Sequence, residues 1–194
     1  MSEGIYTKEE LKEWLRYEHE LYKGSRGLKY ILQYSEGAVL WRYQKLLRKT
    51  EYYRNTGKKI RGWLCNFRRA RMQNKYGIHI SPNTCGKGLH IMHIGPVIVN
   101  SKAKVGENCT FHVNTAVVAG GTNDDVPVIG NRVILGIGAV VLGKVTVANG
   151  VAIGANAVVN KSVEEESIAV AGVPAKKVSN NGSNRWNVKK TESI

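Results

Sequence analysis

A spacing of six constrains this chain more than any other feature. From Ile129 every sixth residue reads Ile129, Leu135, Val141, Val147, Ile153 and Val159, and a frame four residues on reads Val133, Ala139, Val145, Val151, Ala157 and Val163. All of these positions are apolar. A helix repeats at 3.6 residues and a strand at 2, so neither selects a spacing of six with a second apolar position at offset four. An internal repeat of this length marks a parallel β-helix, in which each hexad supplies a short flat strand and a turn. Gly130, Gly136 and Gly154 follow the large aliphatic in three hexads and Ala148 does so in another, leaving little side chain where the chain must bend.

The frame extends upstream through Val99, Val105, Phe111 and Val117, with Ala103, Cys109 and Thr115 at offset four. Ile91 belongs to a less regular coil, and a phase slip near Pro96 separates it from Val99. Asn123 is the one frame position that fails badly, and a break inside a regular array is expected at a functional loop. After Val163, the acidic Glu164 to Glu166 and then Ile168 to Ala175 close the helix.

The first part of the chain has a different texture. Thr7-Lys8-Glu9-Glu10 has the form of a capping box, and Leu11, Trp14, Leu15 and Glu18 continue at helical spacing, predicting a helix over about residues 8–22 that ends at Gly24. A second helix is expected from Gly37 to Asn55, carrying Val39, Leu40, Tyr43, Leu46 and Leu47 and stopping at Gly57. A third, from about Lys58 to Asn74, places Ile60, Trp63, Leu64 and Phe67 on one face. Three such helices would cover one end of a β-helix and offer surface for oligomerisation. The chain thus divides into a basic α-helical segment (1–76), a β-helix (77–178) and a polar tail (179–194), the last expected to be mobile.

Charge is unevenly placed. The net charge is +14, and between Arg42 and Lys75 twelve Lys or Arg stand against the single acid Glu51, so that segment alone carries +11. An anionic membrane surface, a phosphate-bearing substrate or nucleic acid would suit such a segment, and so would a plain solvated helix face. No nucleic-acid motif accompanies the charge, which disfavours nucleic acid. The opening MSEGIYTKEE is polar and acidic, so no secretory leader is expected. The longest uncharged apolar run, Val133 to Gly143, has eleven residues, too few to span a bilayer. Cys65, Cys85 and Cys109 cannot all pair, and they read as reduced packing residues of a cytoplasmic protein.

These hexads resemble those of the left-handed β-helix acyltransferases, in which three hexads make one triangular coil. The resemblance implies a mainly β fold with nearly five coils over about residues 78–163, preceded by short helices. Three segments sharpen it toward the serine acetyltransferases. Gly86 to Gly95 is similar to their catalytic-histidine segment, Ala119-Gly120-Gly121-Thr122 to their LGGT loop, and Gly172-Val173-Pro174-Ala175-Lys176 to the GVPAK motif that ends many members. The implied assembly is a homotrimer with acetyl-CoA laid in the groove between subunits, and whether trimers pair further through the helices is left open by the sequence.

On that resemblance His93 is the general base. A hydroxyl has a pKa far above neutral, so its attack on a thioester needs a proton acceptor near pKa 7, and imidazole fits. His90 and His112 are the next candidates; His112 follows an inward Phe111 and so can face the groove. No metal is expected, because no Cys or carboxylate set accompanies the histidines at useful spacing. Gly120, Gly121, Ala139 and Ala157 are the implied contacts of the pantetheine arm, and Lys176 and Lys177 those of the CoA phosphates. The alanines are also what a narrow core would demand.

Departures from the family pattern bear on the acceptor. The aspartate expected fifteen residues before the histidine is Ile78, the aspartate directly before it is Met92, and a shortened loop lacks the Arg-His pair that meets the serine carboxylate. That loop holds Asp124 and Asp125, the only aspartates in the chain, which either form an Asx-rich turn or supply a carboxylate to the site. The reading is an acetyl-CoA-dependent O-acetyltransferase acting on a sugar hydroxyl at the inner face of the membrane, resembling the short forms of capsule and exopolysaccharide pathways. The alternative is serine O-acetylation for cysteine synthesis, which the terminal Ile194 favours. A non-catalytic β-helix scaffold is the third.

Overall fold

The computed structural model describes residues 4–22, 29, 33, 35–121 and 124–184. The expectations for Gly24, Thr122, Asn123, Ile194 and the tail beyond residue 184 lie outside the described residues.

Helix α1 (Lys8–Glu20) opens on the capping box read from the sequence: Glu10 N–H donates to Thr7 Oγ1 (3.1 Å) and Thr7 N–H donates to Glu10 Oε2 (2.9 Å). Helices α2 (Glu36–Asn55) and α3 (Lys59–Tyr76) follow. Gly77 ends α3 at φ 73°, and a Cβ there would stand 3.2 Å from Pro96 Cα, so the junction between helix and β-helix needs glycine twice over.

The strands form three faces. One carries β1 (Ile78–Ile80), β3 (Val97–Val99), β6 (Thr115–Val118), β9 (Val140–Leu142) and β12 (Val158–Val159) in that order. A second carries β4 (Lys104–Val105), β7 (Val128–Ile129) and β10 (Thr146–Val147). The third carries β2 (His90–Ile91), β5 (Thr110–Phe111), β8 (Ile134–Leu135), β11 (Ala152–Ile153), β13 (Ala169–Ala171) and β14 (Lys176–Ser179), parallel except for the final β13–β14 pair. Of the twelve downstream hexad positions, eleven are at most 6% exposed, and the twelfth, Val163, packs against the same core.

Register shows where the repeat is broken. Val97 pairs with Thr115, eighteen residues on, whereas Ala116 pairs with Val140, Thr110 with Ile134 and Lys104 with Val128, each twenty-four on. One hexad's length therefore leaves the helix as a loop between β6 and β7. A second break lies earlier. From His90 to Val97 the chain takes seven residues, but the paired step from Thr110 to Thr115 takes five. Two extra residues bulge out around Met92 to Pro96, the physical form of the phase slip.

The helices cap the first coil through α2, whose Leu40, Tyr43 and Leu47 join a core with Ile78 and Ile80. The apolar stripe of α3 lies on one face, and that face is outward: Ile60, Trp63, Leu64 and Phe67 are exposed, while Leu40, Tyr43 and Leu47 of α2 cover the coil. The basic segment is not one surface, since Arg48 is fully buried, its guanidinium bonded to Glu18 and Glu51 (2.8 and 2.9 Å) and to the carbonyls of Cys85 and Gly86. Cys85 and Cys109 are buried as expected, and burial raises both thiols to about 12; Cys65 is only half-buried, on α3.

Candidate active site

His93 stands in the two-residue bulge, so the irregularity takes its side chain out of the hexad rows. Just before it Ile91 is fully buried, and Met92 N–H donates to Phe111 O (3.0 Å), so the chain stays tied to the coil up to the residue preceding the imidazole. His112 follows Phe111 on the next coil, its N–H donating to Leu135 O (3.1 Å). The two imidazoles lie 6.4 Å apart between centroids at 46°. His90, the other candidate, sits edge-on to Tyr22 at 5.5 Å.

The carboxylate beside His93 comes from α2. Glu36 Oε1 accepts from Ile94 N–H (2.7 Å) and Oε2 lies 3.3 Å from His93 Nδ1. A carboxylate can only accept, so in the neutral ring this contact selects the tautomer with the proton on Nδ1 and the lone pair on Nε2. The second oxygen holds the backbone of the bulge. Glu36 therefore orients the ring and fixes the loop that bears it. Ile78, at the position where the family resemblance sought an aspartate, is fully buried on β1 and packs in the core. Nothing in the sequence pointed to Glu36, which lies fifty-seven residues before His93 and belongs to no motif.

Partial burial, and then the nearby His93, lower the pKa of His112. It is thus held neutral at physiological pH, able to accept or donate one hydrogen bond.

Asp124 is turned outward, 92% exposed at its side chain, with Lys102 Nζ at 2.7 Å; that ion pair lowers its pKa. Within one chain it is Glu36, not Asp124, that meets the imidazole. Asp125 is half-buried at the same loop.

A groove of about 250 Å³ runs over the third face, lined by His112, Gly136, Ala152, Gly154, Ala155 and Ala171 among others. Gly136 and Gly154 are eighteen residues apart and stack on successive coils, where a Cβ on Gly136 would stand 2.8 Å from Ile153 O. Close stacking of the coils thus demands glycine at position 136, and with Ala152, Ala155 and Ala171 it leaves the groove lined by small residues. Reading every eighteenth outward position would have found them. Ala139 and Ala157, the expected contacts, are instead fully buried in the core: offset four points inward, and they are small because the core is narrow. Gly120 lies against Gly143 on the β6–β9 side, Gly121 is exposed at φ 84°, Lys176 is exposed on β14, and Lys177 is paired with Glu165 at 2.5 Å.

Fold and corner together place the chain among left-handed β-helix proteins built of hexapeptide repeats. Within that class its similarity is to the serine acetyltransferases. It is 39% identical over 107 residues to a serine acetyltransferase of Helicobacter pylori, a match covering 53% of this chain and 61% of that protein. The chain spans about half the length of other curated relatives, 51% of a Buchnera aphidicola serine acetyltransferase for example. Its fold superposes on the crystal structure of a Brucella abortus serine acetyltransferase in complex with coenzyme A, with a TM-score of 0.67, 24% identity, and coverage of 90% of this chain and 70% of that one. No protein-family model matches the chain.

Proposed function

We propose that this protein is an acetyl-CoA-dependent O-acetyltransferase whose general base is His93, positioned by Glu36. The observation that carries the reading is the Glu36–His93 pair at the bulged corner between β2 and β3. His93 Nε2 takes the proton of the acceptor hydroxyl as its oxygen attacks the thioester carbonyl. The tetrahedral intermediate collapses by breaking the C–S bond, and the imidazolium returns its proton to the departing sulfur. Glu36 stabilises the transient imidazolium, as a carboxylate behind an imidazole does in acyl transfer. His112, held neutral, is placed to hydrogen-bond substrate or intermediate. The groove lined by Gly136 and Gly154 lies beside it to seat the pantetheine arm, with Lys176 available for phosphate. Closure of the groove by neighbouring subunits of a homotrimer belongs to the same reading, as does the division into segments 1–76, 77–178 and 179–194.

L-serine is the acceptor that the relatives support best, since the similar curated proteins carry that activity in their names. A sugar hydroxyl is the second reading. It rests on Met92 standing before the histidine and on Asp124 with Lys102 in a loop without the Arg-His pair. Thiol release from acetyl-CoA should be measured for the full chain with L-serine beside nucleotide sugars and polysaccharide repeat units. Turnover with one of them is expected, His93→Ala lowering kcat/KM by about 10²–10⁴-fold. Glu36→Gln should lower kcat more than it changes KM. Absence of thiol release with every acceptor, or retention of full activity by His93→Ala, would overturn the proposal, and the ratio of serine to sugar turnover assigns the acceptor.

A further inference from the structure

Helix α3 has one face packed on the protein and one face that no other described element covers. On the inner side Gly62 is buried against Tyr53 of α2, Arg69 donates to Ile80 O (2.9 Å), and Met72 and Tyr76 pack on the core. The outer side carries Ile60, Trp63, Leu64 and Phe67, exposed by 85, 67, 43 and 47%. These positions follow the i, i+3, i+4, i+7 pattern of a single stripe. Trp63 and Phe67 are stacked, 5.7 Å apart at 14°, and the guanidinium of Arg71 lies 6.0 Å over the Phe67 ring. Lys58, Lys59, Arg61, Arg68, Arg71 and Lys75 are exposed along the same helix, and no acid occurs between Glu51 and Glu107.

We infer that α3 is an interfacial helix that docks this protein on an anionic lipid surface. An apolar stripe with a rigid aromatic pair, bordered by cations, matches the two parts of such a surface: the stripe enters the boundary between headgroups and acyl chains, and the cations meet the lipid phosphates. Charge discriminates among occupants. A second copy docked face to face would set this row of cations against the same row without a single acid between them, a repulsive arrangement. A nucleic acid would use the cations and the rings but leave Ile60 and Leu64 in water. Among the described residues no helix is long and apolar enough to cross a membrane, so the contact is peripheral. The inference is independent of the acyl-transfer reading.

Co-sedimentation of the full chain with vesicles of phosphatidylcholine alone, and of phosphatidylcholine with about 30 mol% phosphatidylglycerol, tests it. Pelleting is expected with the anionic vesicles only, falling at least about tenfold in partition between about 0.1 and 0.5 M salt as the Debye length shrinks. Trp63→Glu with Phe67→Glu, and separately Arg61→Glu with Arg68→Glu, should each reduce partition by about tenfold or more at an unchanged melting temperature, these side chains being exposed. Lack of pelleting, equal pelleting on neutral vesicles, or no effect of the Trp63/Phe67 pair sinks the idea. So does a fall in sedimentation mass of that variant without vesicles, which would assign the face to a second copy, and so does tighter retention by duplex RNA than by vesicles.

Discussion

His93 is placed by two surplus residues. In the next coil five residues take the chain from Thr110 to Thr115; between their partners His90 and Val97 there are seven, so the backbone bulges and Glu36 closes it with one hydrogen bond to Ile94 N–H and one to the ring. His112 makes the arrangement testable by titration. Its pKa is lowered by burial first and by His93 second, so in the folded chain it binds its proton more weakly than in the unfolded chain. Protonation of His112 therefore weakens the fold as pH falls below its unfolded value of about 6.5, and costs nothing above it. In NMR titration His112 should change charge below about pH 6.5, and His93→Gln should move its midpoint part of the way back up, burial accounting for the rest. A midpoint unmoved by His93→Gln would show that the two rings do not interact. The candidate histidines were legible as residue types in a recognisable segment; the carboxylate was not, since no local pattern links position 36 to position 93.

At the scale of elements, the face a small residue occupies decides what it can do. Ala152 on β11 faces the groove and Ala139 faces the core, although both are alanines in hexads. Ala152→Leu should raise KM for acetyl-CoA at least about tenfold while changing stability by no more than about 0.5 kcal/mol, as outward substitutions do. Ala139→Leu should do the opposite, costing about 1–3 kcal/mol through overpacking, with KM unchanged in the fraction that remains folded. Steady-state kinetics with urea melts on both variants checks the pair. The stripe of α3 shows the same limit from the other side. Helical spacing identifies an apolar face but not its partner, and Leu40, Tyr43 and Leu47 of α2 had already taken the end of the coil.

Across the whole molecule, helices and β-helix are joined through one buried ionic cluster. Arg48 binds Glu18 from α1, Glu51 from its own helix and the carbonyls of Cys85 and Gly86 in the first coil, and its guanidinium lies 4.8 Å from the Trp14 ring. Glu18 also accepts from Gly88 N–H (3.0 Å) and Glu51 from Asn83 N–H (2.9 Å), so two carboxylates and one cation tie three parts of the chain. Arg48→Met leaves two buried carboxylates without their cation and should cost about 3–5 kcal/mol in denaturant unfolding. Burial already raises the pKa of Glu51, against the pull of Arg48, and with that pull removed the folded state would hold its proton more strongly still. The variant should therefore regain stability as pH is lowered from 7 toward 5, whereas pH-independent destabilisation would mean the loss is one of packing alone. Because α2 carries both Arg48 and Glu36, the cluster that anchors the helix also sets the carboxylate against His93.

The sequence by itself determined the period of six, hence a β-helix, its inward rows and the two places where the repeat breaks, while the three-faced coil came from the family resemblance. It could do so because hexad pattern and strand-turn geometry are local, each repeat stacking only on its neighbours. Tertiary structure alone decided which carboxylate meets His93 and that Ile60, Trp63, Leu64 and Phe67 stay uncovered by the described residues. Those outcomes depend on how α2 docks on the first coil, a contact between segments distant in the chain whose geometry no repeat encodes.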